Sequence, residues 1–327
     1  MQNDPGRRWL LRLAAAALTA TAAPRLAGAQ APSSRPIRAI VPFPAGSATD
    51  AMARFLGEHS AQKLGQATVV ENMAGANGAI GARSAARMPG DGSVLFYATN
   101  STHSANPHLL RDPGYDPIRD FVPVTLIGTS PLILFVSPKF PARTLQEFIA
   151  YAKESSGTLN FGTGNTGSLA AAHLLLKLAG IRGEQISYRG TPEAITDLLG
   201  GRLQFVVTDL GPTAGHLKTG DLRAIAVTTK TRSQAVPDLP TMQESGLAGM
   251  DFASWNGIFA PAGTPDAAVQ RLNRALVEAI RSPAGVVFFR NLGIDVVASS
   301  PEEMGQFAAT ELGKWGRILA DAGVPRN

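Results

Sequence analysis

The stretch IRAIVPFPAGSATDAMARFLGEHSAQKL, residues 37–64, changes character twice. Ile37–Val41 is an apolar run of strand length, Pro42 to Ser47 is a loop of proline, glycine and small residues, and Ala48–Leu64 is a proline-free run of helix length. A strand that feeds a helix through a short loop is the building unit of an α/β sheet. The unit recurs: a strand at Thr68–Glu71 precedes a helix over Gly78–Arg87, and a strand at Ser93–Ala98 follows.

A second series begins after Pro131, with strand Leu132–Val136, helix Leu145–Ser155, strand Leu159–Gly162 and helix Ser168–Ala179. Strand Gln185–Tyr188, helix Pro192–Leu199 and strands Phe205–Thr208 and Leu222–Thr228 continue it. Two such series predict two mostly parallel sheets, each covered by helices, and hence two lobes of an α/β protein. Gly263 to Asn327 reads as helical, with Thr264-Pro265-Asp266 and Pro301-Glu302-Glu303 as helix starts. Its periodicity does not say where it packs.

Residues 1–29 have the layout of a signal peptide: basic residues, an apolar run from Leu10 to Ala23, and the small triplet Ala27-Gly28-Ala29. Cleavage is expected near Ala29, giving an exported, periplasmic protein. The paired Arg7-Arg8 also fits a twin-arginine signal, so the export route stays open. The apolar run, about 14 residues, is shorter than the roughly 20 that a membrane helix needs. Of the formal charge of +5, Arg7, Arg8, Arg12 and Arg25 against Asp4 supply +3, leaving +2 after cleavage. With no basic cluster and only 6% aromatic residues, a nucleic-acid partner lacks both its electrostatic stripe and its stacking platforms. The absence of cysteine excludes disulfides, thiolate nucleophiles and cysteine metal sites.

Ligands of open α/β sheets bind beyond the carboxyl ends of the strands, so the loops there are the candidate site. The first is Pro42 to Asp50, whose small residues and hydroxyls precede a helix start, where unpaired N–H groups favour an anion. Capping of that helix by Thr49 or Asp50 is the structural alternative. The second, Gly162-Thr163-Gly164-Asn165-Thr166-Gly167-Ser168, fits G-x-G-x-x-G between a strand and a helix. A nicotinamide site would place an acid at the end of the next strand, where this chain has Tyr188-Arg189-Gly190, with Glu184 at the wrong end. The loop ends Asn100-Ser101-Thr102-His103, Tyr188-Arg189-Gly190 and Thr208-Asp209 complete the candidate cleft, and Arg189 is a candidate for a forked pair with a carboxylate.

Catalytic motifs are sparse. There is no G-x-S-x-G elbow, and His59, His103, His108, His173 and His216 show no metal-binding spacing. His173, in an Ala/Leu-rich helix, reads as a hydrogen-bonded structural histidine. No metal and no cofactor are expected, although an esterase-like hydrolase assembled from distant loops stays open.

Five ordered stretches resemble one family: PFPAGSATDAMAR at 42–54, ENMAGANGAIGARSAAR at 71–87, YRGTPEAITDLLGGRLQFVVTD at 188–209, GDLRAIAVTT at 220–229 and WNGIFAPAGTPDAAVQRLN at 255–273. Together they are similar to the Bug-type (TctC-like) extracytoplasmic receptors of tripartite tricarboxylate transporters. The resemblance implies a type II periplasmic-binding-protein fold, with two α/β lobes joined by two crossovers. Residues 36–130 plus 256–327 would form one lobe and 131–255 the other. It further implies a monomer that binds a small organic anion, a carboxylate, and hands it to membrane transporter subunits or, in an orphan receptor, to a sensor kinase. By position, the ligand would be held by Phe43, Ala45, Gly46, Ser47, Thr49 and Asp50 on one lobe, and by Thr163, Gly164, Thr166 and Ser168 on the other. Ser101, Arg189 and Asp209 join them from the loop ends. One departure stands out: the family loop usually has consecutive glycines where this chain has Gly46-Ser47-Ala48, so a positive φ beyond Gly46 would strain it.

Overall fold

The computed structural model describes residues 35–154, 159–251, 253–321 and 323–326. The leader, its cleavage site and Ser155, the last residue of one expected helix, lie outside the described residues. Two sheets share one compact unit. The first has six strands in the order β11-β4-β10-β3-β1-β2: β1 (Ile37–Val41), β2 (Thr68–Asn72), β3 (Val94–Thr99), β4 (Phe121–Pro131), β10 (Ala253–Pro261) and β11 (Asp295–Val296). The second has five, in the order β7-β6-β8-β5-β9: β5 (Ile133–Val136), β6 (Leu159–Thr163), β7 (Gly183–Ser187), β8 (Phe205–Thr208) and β9 (Arg223–Val227).

Position in each sheet follows residue type. The central strands β3, β5 and β8 are buried at every residue and read as continuous apolar runs, as strands covered on both faces must. The edge strands β2 (TVVEN) and β7 (GEQIS) carry polar residues and keep partial exposure. Arg38 on β1 reaches across to β2 and donates from Nε and Nη2 to the two carboxylate oxygens of Glu71, at 2.6 and 2.8 Å.

The expectation of mostly parallel sheets needs correction. β1 pairs in parallel with β2 and β3, and β6 with β7 and β8, but β10 runs antiparallel to β3 and β4, and β5 antiparallel to β8 and β9. β4, β5, β9 and β10, which carry the chain between the sheets, all pair antiparallel, as does the short β11 against β4. The chain leaves the six-stranded sheet between Pro131 and Ile133 and returns between Val227 and Ala253. β4 and β10 pair side by side, with Ser254 opposite Ser130. On the far side of the crossover, Leu132 N–H donates to Thr228 Oγ1 at 3.0 Å and Thr228 N–H to Leu132 O at 2.9 Å.

Helix α1 (Ala48–Leu64) follows β1, α2 (Ala79–Ala86) precedes β3, and a π-helical turn (Ser101–Ala105) leads into α3 (Asn106–Leu109). In the second half, α4 (Leu145–Glu154), α5 (Thr166–Ala179), α6 (Thr191–Leu199) and α7 (Ala214–Thr219) surround the five-stranded sheet. The tail supplies α8 (Asp266–Arg281), α9 (Pro283–Asn291) and α10 (Pro301–Asp321). Buried Val269, Leu272, Leu276, Ala279 and Ile280 on α8 recur at helical spacing and pack with Met52 and Leu56 of α1 over the first sheet.

α10 divides its apolar stripe between two cores. Met304 and Ala308 join Phe96, Trp255 and Phe259 of the first sheet, whereas Trp315 and Leu319 join Leu132, Phe148 and Leu175 around the second. The helical tail thus touches both halves of the molecule. Among the described residues, no helix is long and apolar enough to cross a membrane.

Candidate functional site

The loop from β1 to α1 is shaped by one glycine and one acid. Gly46 has φ 84°, and a Cβ there would meet nothing within 4 Å, so the left-handed backbone, not crowding, is what asks for glycine. The turn ends at once: Ser47 is extended (φ −70°, ψ 161°) and α1 starts at Ala48, so Ser47-Ala48 introduces no strain. Ser47 caps α1, its Oγ accepting from Asp50 N–H at 3.2 Å.

Asp50 faces back into the loop. Its carboxylate accepts from Gly46 N–H (3.0 Å), from Arg54 Nε and Nη2 (3.0 Å each) and from Asn72 Nδ2 (3.0 Å). Asn72 Nδ2 also donates to Phe43 O at 3.0 Å, tying loop to sheet. Burial alone would push the Asp50 carboxyl up, but the bonds from Arg54, Gly46 and Asn72, with the charge of Arg54, hold it below the usual carboxylate range. Its stabilising contribution is therefore present above the unfolded carboxylate pKa and lost as pH falls through the lower folded value. Asp50→Ala should destabilise the protein by about 2 kcal/mol at neutral pH, the scale of hydrogen bonds to a charged group. In urea melts, the gap from wild type should close as pH drops below that folded value. A gap that stayed constant with pH would show that Asp50 acts without its charge.

The loop from β6 to α5 is built alike. Thr163 is the last strand residue, one position later than expected. Asn165 caps α5, with Oδ1 accepting from Ser168 N–H at 2.9 Å. A third helix start, that of α6, carries no side-chain cap, because its N-cap residue is Gly190.

These three helix starts border a cavity of about 400 Å³ lined from both sheets. That size suits a small molecule. Of the residues expected in the site, Phe43, Ala45, Gly46, Ser47, Thr49, Ser101, Gly164, Arg189 and Asp209 line it. Asp50, Thr163, Thr166 and Ser168 do not line it. Asp50 is turned behind the loop, and Thr163 Oγ1 accepts from Gln185 Nε2 at 3.3 Å. Thr166 and Ser168, each 1% exposed, are packed beneath the start of α5. Asn100 lines the cavity next to Ser101, but Thr102 and His103 do not. His103 is fully buried between Phe96, Phe121 and Phe259, and that burial drops its pKa to about 3, so it is neutral. His173 is half-buried and hydrogen-bonded through Nε2 to Gln185 Oε1 at 2.9 Å.

Sequence reasoning missed Asn165, Thr191, Ser130, Ser254, Asn256, Leu292 and Ile294, all of which line the cavity. Asn165 was readable as an N-cap within its glycine-rich loop. Ser130, Ser254 and Asn256 lie on β4 and β10, which the strand patterns did not disclose. Leu292 and Ile294 enter from the tail with no local signal.

Two charged side chains line the cavity, both from the half built on the second sheet. Arg189 is exposed, and its own backbone N–H donates to Glu193 Oε2 at 3.1 Å. Asp209, just after β8, is bonded by Ser254, Ser130 (Oγ to Oδ1, 3.4 Å) and Asn165. Burial pushes its carboxyl up against those bonds. The remaining lining is hydroxyl, amide, backbone and apolar surface. Among the described residues, no group of three or more His, Cys, Asp or Glu side chains is arranged to hold a metal ion.

A family model described as the tripartite tricarboxylate transporter family receptor matches residues 52–324 of the chain. Protein BugT of Bordetella pertussis is 35% identical over 295 residues, spanning 89% of this chain and 90% of BugT. Among solved structures, an R. palustris protein with adipate is similar with a TM-score of 0.85 at 30% identity, covering 90% of this chain and 99% of its own. MatC from Rhodopseudomonas palustris with bound malate is similar with a TM-score of 0.80 at 31% identity, covering 87% and 99%.

Proposed function

The chain belongs to the tripartite tricarboxylate transporter receptor family, and from that premise we propose that it is an exported periplasmic receptor. It holds a small organic carboxylate in the cavity between its sheets, delivers it to the membrane subunits of a tripartite transporter, and catalyses nothing. The observation that carries this reading is the convergence of three helix starts on one cavity of small-molecule size. Helix starts present N–H groups and positive dipole ends, which stabilise an anion without requiring a lysine or metal. The relatives with adipate and malate support a carboxylate as that anion.

The lobes are residues 36–130 plus 256–327 and residues 131–255, hinged where β4 and β10 cross side by side. The ligand binds one wall first and favours the closed state because the second wall touches it only there.

The test is a thermal-shift screen with malate, adipate, citrate, benzoate, amino acids and ester substrates. A ligand at 100 times its Kd stabilises by ~2.7 kcal/mol, so at least one carboxylate should raise Tm and be recovered unchanged. Consumption of an ester with no carboxylate raising Tm would replace the receptor with a hydrolase.

A further inference from the structure

Asp209 is an unexpected group to find where an anion is to be bound. Among the described residues it is the one carboxyl lining the cavity, and it is bonded to the side chain of Asn165, the residue that caps α5. The acid thus occupies the neighbourhood of a helix start that would attract the ligand's own carboxylate. Its other partners, Ser130 and Ser254, are hydroxyls on the paired crossover strands β4 and β10.

β4, β10 and the start of α5 present Ser130, Ser254 and Asn165, all neutral. The short helical turn that follows, Gly211–Thr213, has no ionisable side chain. Across the cavity, Asp50 is turned away and paired with Arg54, and Asp295, beyond Ile294, is bonded to Ser233 at 3.2 Å. Arg189 follows β7 by two residues and is exposed, and it is not among the groups that act on Asp209. Among the described residues no cation is paired with Asp209, and two carboxylates sharing one site cannot both ionise cheaply.

We propose that Asp209 determines which charge state the cavity accepts: a carboxylate ligand binds with Asp209 protonated, so binding takes up one proton from solution. This rests on the receptor reading above. A protonated Asp209 becomes a donor toward the ligand, while the serine hydroxyls, which both donate and accept, keep it bonded in either state. Burial, which pushes its carboxyl up, brings protonation nearer to working pH. Because the folded value is raised, the carboxyl favours the folded apo protein most at low pH and least once pH has risen through that value.

Calorimetric titration of the full mature protein with malate and with adipate, from about pH 6.5, where both ligand carboxyls are ionised, to about pH 9 in buffers of different ionisation enthalpy, tests this. The expected result is uptake approaching one proton per ligand at the alkaline end, with Kd rising about tenfold per pH unit there. Asp209→Asn should bind with the wild type's low-pH affinity across the range, take up no proton, and melt higher than wild type at alkaline pH without ligand. Wild-type binding with no proton uptake would overturn the proposal, and this holds even if the variant fails to fold. A folded variant weaker at every pH would also overturn it, since the ionised carboxylate would then be the form that supports binding. If neither acid binds at any pH while another solute does, the carboxylate reading itself fails, a separate outcome.

Discussion

Trp315→Ala is expected to lower the unfolding free energy by about 4 kcal/mol, the range for deleting a buried tryptophan. The indole is 0% exposed and belongs to the apolar cluster that holds Phe148 and Leu175 around the second sheet together with Ala105 and Leu109, although its helix has a first half, at Met304 and Ala308, embedded in the first core. Its Nε1–H donates to Glu311 Oε2 at 2.9 Å, and Glu311 is 6% exposed. Removing the indole leaves a cavity and a buried carboxylate with one bond fewer, bonded still to Lys314 at 3.3 Å. Urea denaturation of the variant measures the loss. Hydrogen exchange should accelerate in residues 309–321 before it does in Met304 or Ala308, because only the later turns are anchored in the second core. A loss under about 1 kcal/mol would mean that α10 is not a structural tie.

How far the sequence discloses this molecule depends on whether the determining contacts are local. The β1–loop–α1 unit was legible because Ile37–Val41, Gly46 and Ala48–Leu64 each obey one local rule: a buried strand, a left-handed turn and a helix. β4 and β10 were not. Phe121–Pro131 contains two prolines, a glycine and three Ser/Thr residues, and register shifts between Asn256 and Gly257 and between Ile258 and Phe259 break any period of two. Those strands hold Ser130, Ser254 and Asn256, so missing them hid one wall of the cavity. α10 shows another limit. Its stripe of Met304, Ala308, Glu311, Trp315 and Leu319 has helical spacing, but no local rule says that one stripe meets two cores. At α5 the loop was legible and the facing residues were not. Gly164 and the extended N-cap Asn165 still belong to the loop and line the cavity, whereas Thr166 and Ser168, already inside the first turn of α5, are buried, and one-dimensional spacing does not show which residues of such a turn face inward.

Gly164→Ala should have the largest effect on the site itself. An added Cβ would lie 2.3 Å from Thr191 N and 2.4 Å from Gly190 C, both backbone atoms, so no side-chain rotation relieves the overlap. The β6–α5 and β7–α6 turns touch here, just beyond the bond from Tyr188 N–H to Thr163 O at 2.9 Å. Separating them moves two of the three helix starts at once. The cost should reach the upper end of overpacking, about 3 kcal/mol, and a bound carboxylate should lose at least about 1.4 kcal/mol, or tenfold in Kd. Gly190→Ala supplies the control. It sits across the same contact in extended backbone (φ −164°), and its Cβ would meet only Pro192 Cδ at an ordinary 3.6 Å, so it should cost about 1 kcal/mol or less, as an N-cap glycine replaced by alanine does. Urea melts and ligand titrations on both variants decide the matter. Equal losses would mean that the site responds to any change in these turns, whereas a Gly164 effect several times larger ties affinity to the close approach of the two helix starts.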